Sequence, residues 1–408
     1  MKILYLCHRF PFPPKRGGKI RPFNMIKHLS RSHEVTVASI VRSDDEVREG
    51  RGIAPHCHAY EMVQVSPAIQ TVRMVFRSPT SIPSSMGYFY STGLASKVDN
   101  LLRANGYDLI FVHCSSVAQY VSRVQGIPKV LDFGDMDSQK WLDYGRVKPL
   151  PLSLGYWLEG IKLLREEKRL ARLFDVCTTT TRAELETLNG YQIGVDTDWF
   201  PNGVDSEYFA PSKEPYDANM ISFVGRMDYY PNQECMFTFC EHVLPLLRQR
   251  RPQVKLCIIG ADPSAAVRRL GALPNVTVTG SVPDVRPYVR ASALMVAPLN
   301  IARGTQNKIL EAMAMGVPVV TSPLAANGVD AIAGEHLLVA RNNVEYVDEI
   351  LRILDQPTER ARLAVAARQR MLSHHTWEAS MRRLDTIVDR CVGARARSGG
   401  IQGLETAR

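Results

Sequence analysis

Two short stretches of this chain carry the residue types that could do chemistry. The first is Pro13-Pro14-Lys15-Arg16-Gly17-Gly18-Lys19-Ile20-Arg21, set between an opening apolar run and a helical pattern. Gly17 and Gly18 let the backbone approach a ligand closely, and the helix start offers unpaired N–H groups to an anion. Lys15, Arg16 and Arg21 add charge of the right sign. The stretch is neither a Gly-x-Gly-x-x-Gly fingerprint nor a P-loop, which argues against dinucleotide and NTPase chemistry. The second stretch is Arg303-Gly304-Thr305-Gln306-Asn307-Lys308-Ile309-Leu310-Glu311, followed by Ala312-Met313-Ala314-Met315-Gly316-Val317-Pro318. Here a glycine-containing loop opens a helix whose apolar face is Ile309, Leu310, Met313 and Ala314. Asn307 and Lys308 can both neighbour Glu311. A carboxylate can accept hydrogen bonds from both hydroxyls of a ribose, while Lys308 and the first helix amides suit a diphosphate. Taken alone, the same spacing also fits a surface Lys–Glu pair worth about 0.2–0.5 kcal/mol.

Other constellations are weaker. Asp135-Met136-Asp137 and Asp196-Thr197-Asp198 are Asp-x-Asp pairs of a kind that can hold a divalent metal against a diphosphate. No His-Glu-x-x-His motif or Ser–His–Asp order is visible, and the eight cysteines are scattered without metal-ligand spacing. Buried thiols in a reducing compartment are the expectation for them.

These residues need a scaffold, and the pattern supplies one. At 408 residues the chain exceeds a single core, so two domains are expected. Short apolar runs alternate with helical patterns, the signature of parallel α/β architecture. Strands are predicted at Lys2–Cys7, Glu34–Ile40, Asp108–His113, Lys129–Phe133 and Asp175–Thr179. Helices are predicted at Ile20–Ser30, Thr92–Ala104 and Leu158–Leu173, and Thr181 with Glu184 reads as a capping box. Turn residues and prolines over 202–215 mark a linker. The alternation then restarts at Ile221–Gly225 and continues through Leu256–Gly260, Val276–Gly280, Leu294–Pro298 and Val317–Thr321. Two Rossmann-like halves follow, with a ligand cleft expected between them. The residues from Gly393 onward have no apolar period and are expected to be disordered. No apolar run is long enough to span a bilayer, and the N-terminal apolar stretch is too short for a signal peptide.

The net charge is +9, and residues 1–42 hold nine Lys or Arg against one acidic residue, Glu34. Such a stretch suits phosphates or an anionic membrane surface. No nucleic-acid-binding motif accompanies it, so nucleic acid is not an expected partner.

Lys308–Val320, the Gly17-Gly18 loop, Asp108–His113, Asn202-Gly203-Val204-Asp205, Phe223-Val224-Gly225-Arg226, Gly280-Ser281-Val282-Pro283-Asp284, Pro298 and Trp377 together resemble the family 4 retaining glycosyltransferases. The resemblance reaches about Val392. More narrowly, Asp132–Trp141 and Gly225–Asn232 resemble the sugar transferases associated with exosortase/PEP-CTERM exopolysaccharide loci. The resemblance implies a GT-B fold: an acceptor-side domain over 1–205 and a nucleotide-sugar domain over 206–375. A crossing helix over 376–392 would return to the first domain, and a tail would follow over 393–408. It implies transfer of a sugar from a nucleotide-diphosphate sugar to a glycan or polyprenyl-linked acceptor with retention; a cytoplasmic location is expected, with the basic stretch suiting the inner face of a membrane. It assigns Glu311 to the donor ribose and Arg226 and Lys308 to the diphosphate. His113 goes to the donor sugar, the backbone around Val282 to the base, and Gly304, Thr305, Gln306 and Asn307 to the donor loop. Gly17 and Gly18 lie on the phosphate or acceptor side, with Lys15, Arg16, Arg21, Asp135 and Asp137 as acceptor candidates. The GT-B resemblance implies neither metal nor cofactor, so both Asp-x-Asp pairs are read as non-metal.

Two positions depart from the family pattern. Arg303 stands where the first glutamate of Glu-x7-Glu is usual, and Pro231 stands where a lysine normally follows the arginine. Lys308 is the candidate to restore that charge. A nucleotide-sugar 2-epimerase and a non-catalytic donor-binding protein are the alternative readings.

Overall fold

The computed structural model describes residues 1–15 and 17–405, so Arg16 lies outside the described residues. The chain divides into two units, Met1–Phe200 with the chain from Met381 onward, and Pro201–Ser380.

The first unit carries a seven-stranded sheet of β1 (Lys2–Cys7), β2 (Glu34–Val41), β3 (Ala59–Gln64), β4 (Leu109–His113), β5 (Lys129–Gly134), β6 (Val176–Thr179) and β7 (Asp196–Trp199). All pairings are parallel, in the order β3-β2-β1-β4-β5-β6-β7. β1, β4 and β5 are buried almost throughout, as expected of parallel strands covered on both faces. The order reverses between β1 and β4, and loops leaving the carboxyl ends of such strands are where α/β sheets bind ligands. Tyr5 stacks on Phe111 across this pair, with ring centroids 5.2 Å apart. β3 and β7 were not predicted. They are the edge strands, half-exposed and carrying Glu61, Asp196 and Asp198, so their apolar signal is weak.

The second unit has a six-stranded parallel sheet of β8 (Asp217–Val224), β9 (Lys255–Ile259), β10 (Val276–Val278), β11 (Ser292–Ala297), β12 (Val319–Thr321) and β13 (Leu338–Val339). Its order, β10-β9-β8-β11-β12-β13, repeats that of the first sheet and reverses between β8 and β11. Phe223, Ile258, Met295, Ile309 and Val320 are among its fully buried core residues.

The last helix, Trp377–Glu405, begins in the second unit. There Gly203 packs so closely on it that a Cβ would lie 2.4 Å from the Trp377 backbone nitrogen. From Met381 it belongs to the first unit, where His28 bonds Asp385 at 2.8 Å and the Arg383 guanidinium lies over Trp199 at 4.3 Å. Arg390 pairs with Asp196 at 2.6 Å and Asp198 at 3.0 Å, so the second Asp-x-Asp pair serves this helix. The backbone stays helical to Glu405, past the Val392 end expected from sequence. Ala and Arg over 394–397 are strong helix formers even where no apolar face is present.

Thr181 caps its helix as expected, its hydroxyl accepting the Glu184 N–H at 3.1 Å. The Glu184 carboxylate accepts the Met136 N–H at 2.9 Å. Among the described residues no helix is long and apolar enough to cross a membrane. Seven of the eight cysteines are buried.

Candidate functional site

Each unit gathers a cluster at the carboxyl ends of its central strands. In the first unit, register does the positioning. His113 on β4 pairs with Asp132 on β5, and Asp132 with Thr178 on β6. Three side chains therefore stand side by side. The Asp132 carboxylate accepts from His113 Nδ1 at 2.7 Å and Thr178 Oγ1 at 2.9 Å. It also accepts from Arg21 Nε and Nη2, at 2.9 and 3.0 Å. Burial pushes the Asp132 carboxyl up, but Arg21 and His113 outweigh it and hold the group well below the usual carboxylate range. An ionised Asp132 fixes the proton of His113 on Nδ1 and leaves Nε2 as the ring's acceptor.

Arg21, expected to meet a ligand, is spent here. It is 2% exposed, its Nη1 donates to the Phe200 carbonyl at 2.9 Å, and its guanidinium covers the Phe200 ring. Its place on the inner face of helix Gly17–Leu29 is the reason. Lys19, on the same helix, is buried and lies 3.8 Å from Glu46. Lys15 is exposed. Gly17 and Gly18 open the helix, and a Cβ at Gly18 would lie 3.7 Å from the Arg9 side chain and 3.8 Å from His8 Nε2. His8 follows β1, with its ring centroid 5.7 Å from that of His113. Burial, with nearby positive charge including Arg9 and Arg42, holds His8 well below the usual histidine range, and its Nδ1 has no partner among the described residues.

Asp135 accepts from Thr180 Oγ1 at 2.9 Å. Asp137 starts the helix Asp137–Val147, and burial raises its carboxyl despite Lys140. Sequence reasoning missed Glu167, which accepts from Ser138 N at 2.9 Å and Tyr191 Oη at 3.2 Å. Burial pushes its carboxyl up to about 8. Its helix pattern offered no signal for this inward carboxylate.

In the second unit the cluster lies where β8 and β11 diverge. Arg226 leaves the end of β8, but its charge is already answered. It donates to Asp228 at 3.0 and 2.6 Å and to Asp262 at 2.8 Å. Asn232, one residue past Pro231, was not anticipated. It rests on Gly225, where a Cβ would lie 2.7 Å from its Nδ2, and donates to the Arg226 carbonyl at 2.8 Å. Its Oδ1 accepts Lys308 Nζ at 2.7 Å, linking the segment after β8 to the helix after β11. Lys308 also covers the Phe223 ring at 4.4 Å. Burial lowers its ammonium to about 8.

That helix, Asn307–Ala314, has no side-chain cap. Gly304 reaches it through a left-handed turn at φ 61°. The Gly304 carbonyl fits only because position 328 is glycine, where a Cβ would lie 2.3 Å away. Gln306 holds the loop, donating to the Arg303 carbonyl at 3.1 Å, and Asn307 Oδ1 accepts from Asn202 at 3.4 Å. The Thr305 hydroxyl is buried without a partner among the described residues. Glu311 stands one turn into the helix. Lys308 donates to Asn232 and not to it, so the surface Lys–Glu pair that the spacing also fits is not formed. Burial raises the Glu311 carboxyl to about 7, opposed only by the nearby Lys308 charge. Val282 lies in the loop after edge strand β10, its side chain packed on the core. Among the described residues no group of three His, Cys, Asp or Glu could hold a metal ion.

The arrangement can therefore take an anion at an uncapped helix start beside a cation, and a diol at a half-buried carboxylate. Residues 218–356, most of this second unit, match the family described as Glycosyl transferases group 1. The chain is a GT-B protein related to the GT4-type nucleotide-sugar transferases. It is 24% identical to D-inositol 3-phosphate glycosyltransferase of Nocardiopsis dassonvillei, over 71% of this chain and 72% of that one. It is 26% identical to phosphatidyl-myo-inositol mannosyltransferase of Mycobacterium leprae, over 89% and 93%. Sucrose-phosphate synthase from Thermosynechococcus elongatus shares the GT-B fold with a TM-score of 0.70 at 17% identity, over 97% of this chain and 100% of that one. Anabaena HepE, solved in complex with UDP-glucose, shares it with a TM-score of 0.67 at 16% identity, over 95% and 100%.

Proposed function

We propose that this GT-B chain is a glycosyltransferase whose second domain holds a nucleotide-diphosphate sugar and whose first domain serves the acceptor. The observation that carries the reading is Glu311, a half-buried carboxylate one turn inside an uncapped helix start, with the Lys308 charge near it and the orphaned Thr305 hydroxyl in the loop before the helix. A ribose diol answers the carboxylate and a diphosphate answers the lysine and the amides. In this reading Lys308 stabilises the leaving diphosphate, because Arg226 is already matched by Asp228 and Asp262. His113, with its proton held on Nδ1, offers Nε2 to the transferred sugar. Retention of configuration, a lipid-linked or glycan acceptor, and a place in exopolysaccharide assembly complete the proposal. The motif resemblance supports retention and pathway, and the phosphatidyl-inositol relative supports a lipid-linked acceptor.

The test is a thermal-shift titration with UDP, GDP and their sugars. A ligand bound only by the folded state raises the melting temperature by mass action, so one base should stand out. Glu311→Ala should keep the wild-type melting temperature and lose roughly tenfold or more in affinity for that nucleotide, the loss of about 1.5–3 kcal/mol of charge-assisted hydrogen bonding. Undiminished affinity removes the ribose assignment, and a collapsed fold makes Glu311 structural.

Transfer should survive excess chelator, since Lys308 and the helix amides can meet the diphosphate charge. The check is donor turnover with and without EDTA. Loss on chelation with recovery on adding magnesium or manganese would return attention to Asp135 and Asp137.

A further inference from the structure

Helix Pro357–His374 of the second unit carries two kinds of arginine. Arg362 and Arg370 are answered by acids, the first by Glu359 at 2.7 Å and the second by Asp330 at 3.0 Å. Arg360 and Arg368 are not. With Ala364 between them they fall at i, i+4 and i+8, one stripe of the helix. That stripe lines a cavity of about 240 Å³, and a third arginine, Arg290, joins its wall from the end of helix Arg286–Arg290. Among the described residues no carboxylate pairs with any of the three.

Their partners are neutral. Arg360 Nε donates to the Ala293 carbonyl at 2.8 Å and Nη2 to that of Ser292 at 3.4 Å, and the guanidinium lies over the Tyr216 ring at 3.5 Å. Arg368 Nη1 donates to the Ala314 carbonyl. Arg290 Nη2 reaches the Tyr208 carbonyl at 3.5 Å, and its Nε is buried without a partner among the described residues. A guanidinium has five N–H donors, so most of them remain unspent. Carbonyls orient a guanidinium but leave its charge unbalanced. Burial holds the Arg360 and Arg368 groups below the usual arginine range, the cost of cations withdrawn from water without a counter-charge. One acid lines the same cavity: Glu214, exposed and forming no ion pair among the described residues. Three cations against one carboxylate leave the wall positive.

This cavity is not the candidate donor site. It lies at the amino ends of the strands, since Tyr216 precedes β8, Ser292 opens β11 and Val317 precedes β12. Lys308 and Glu311 lie at the carboxyl ends. Arg368 meets the last residue of helix Asn307–Ala314, whose first turn carries Lys308. At about 1.5 Å per residue the two ends of that helix are roughly 12 Å apart. The remaining wall includes Pro211, Met315, Val317 and Val365, which suit a carbon body.

Guanidinium forks match phosphate oxygens, and three of them converging without a carboxylate partner call for a dianion. The volume is below the roughly 300–1,000 Å³ of pockets that hold drug-sized ligands, so a nucleotide or a lipid chain is too large. We infer that this cavity binds a small organic phosphate, its phosphate among Arg290, Arg360 and Arg368 and its carbon body against Val317 and Ala364. The site goes beyond sugar transfer and stands whether or not the second unit binds a donor.

The experiment is calorimetric titration of the full chain with glycerol phosphate, with inorganic phosphate and, at equal ionic strength, with potassium chloride. The wild type should bind glycerol phosphate, and should still bind it with UDP or GDP in excess and in Lys308→Ala. Arg290→Gln/Arg368→Gln should weaken that binding by roughly tenfold or more, through lost charge-assisted hydrogen bonds. Glu214→Gln should tighten it, because the like charge on the wall is removed, a gain that arginines serving only the fold would not produce. Glu214 is exposed, so this variant keeps the wild-type melting temperature and decides the matter even if the arginine variant does not fold. A wild type that does not bind glycerol phosphate, or a Glu214→Gln variant that binds it no more tightly, overturns the proposal. So does binding that excess nucleotide or Lys308→Ala abolishes, which would put the phosphate at the donor helix. Inorganic phosphate or chloride binding as tightly as glycerol phosphate overturns the assignment of an organic ligand.

Discussion

Lys308→Ala should lower kcat/KM for sugar transfer by roughly 10²–10³, through a fall in kcat together with weaker nucleotide binding, since removing one group that stabilises developing charge costs on that order. The diphosphate gains negative charge as the sugar departs, so a cation beside it favours the transition state over the bound donor. Lys308 is the candidate because its neighbours leave its charge available. Asn232 accepts from it as a neutral amide and Phe223 presents a ring face, whereas Arg226 carries two carboxylates. Burial strengthens any ion pair formed there. Lys255→Ala is the control, a lysine of the same domain paired with Asp217. Steady-state kinetics decides the matter. Equal, mild effects in both variants would leave Lys308 as a lysine that merely packs.

Nucleotide affinity should pass through a maximum between about pH 7 and 8. The limits follow from this neighbouring pair, Lys308 lowered to about 8 and Glu311 raised to about 7, each by desolvation. A diphosphate prefers the ammonium form. Above pH 8 binding must bring a proton to Lys308, and affinity falls by up to about tenfold per pH unit. A ribose diol donates to the carboxylate form. Below pH 7 binding must expel a proton from Glu311, and affinity falls at a similar rate. The two groups interact, so the limbs belong to the pair. Calorimetric titration of the selected nucleotide from pH 6 to 9 reads the profile directly. Glu311→Gln should flatten the acid limb and keep the alkaline one. A wild-type profile flat across this range would mean that neither group meets the ligand.

The sequence was most informative where burial makes the pattern strong. β1, β4, β5, β9 and β11 were read within two residues, because strands covered on both faces are continuous apolar runs. Edge strands β3 and β7 escaped for the opposite reason. Helix Pro67–Arg77 escaped too, its apolar stripe belonging to no core. Among the site residues, the Gly304–Glu311 segment was legible because loop, helix start and carboxylate are contiguous. The His113–Asp132–Thr178 row was not, since its members meet only through the register of three strands. Arg21 illustrates the cost: beside two glycines it reads as a ligand contact, yet its partner lies 111 residues away. Asn232 was hidden for the same reason, and its lysine stands 76 residues further on.

The division of the first domain between the two ends of its polypeptide has a consequence for its synthesis. Residues 1–200 leave the ribosome early, but the helix that meets His28, Trp199, Asp196 and Asp198 comes after Ser380. At about 5–20 residues per second, the intervening domain takes roughly 10–40 s to make. For that interval the nascent first domain has its sheet but lacks its last helix. Edge strand β7, with Trp199 at its end, waits beside the elongating chain without the element that later covers it.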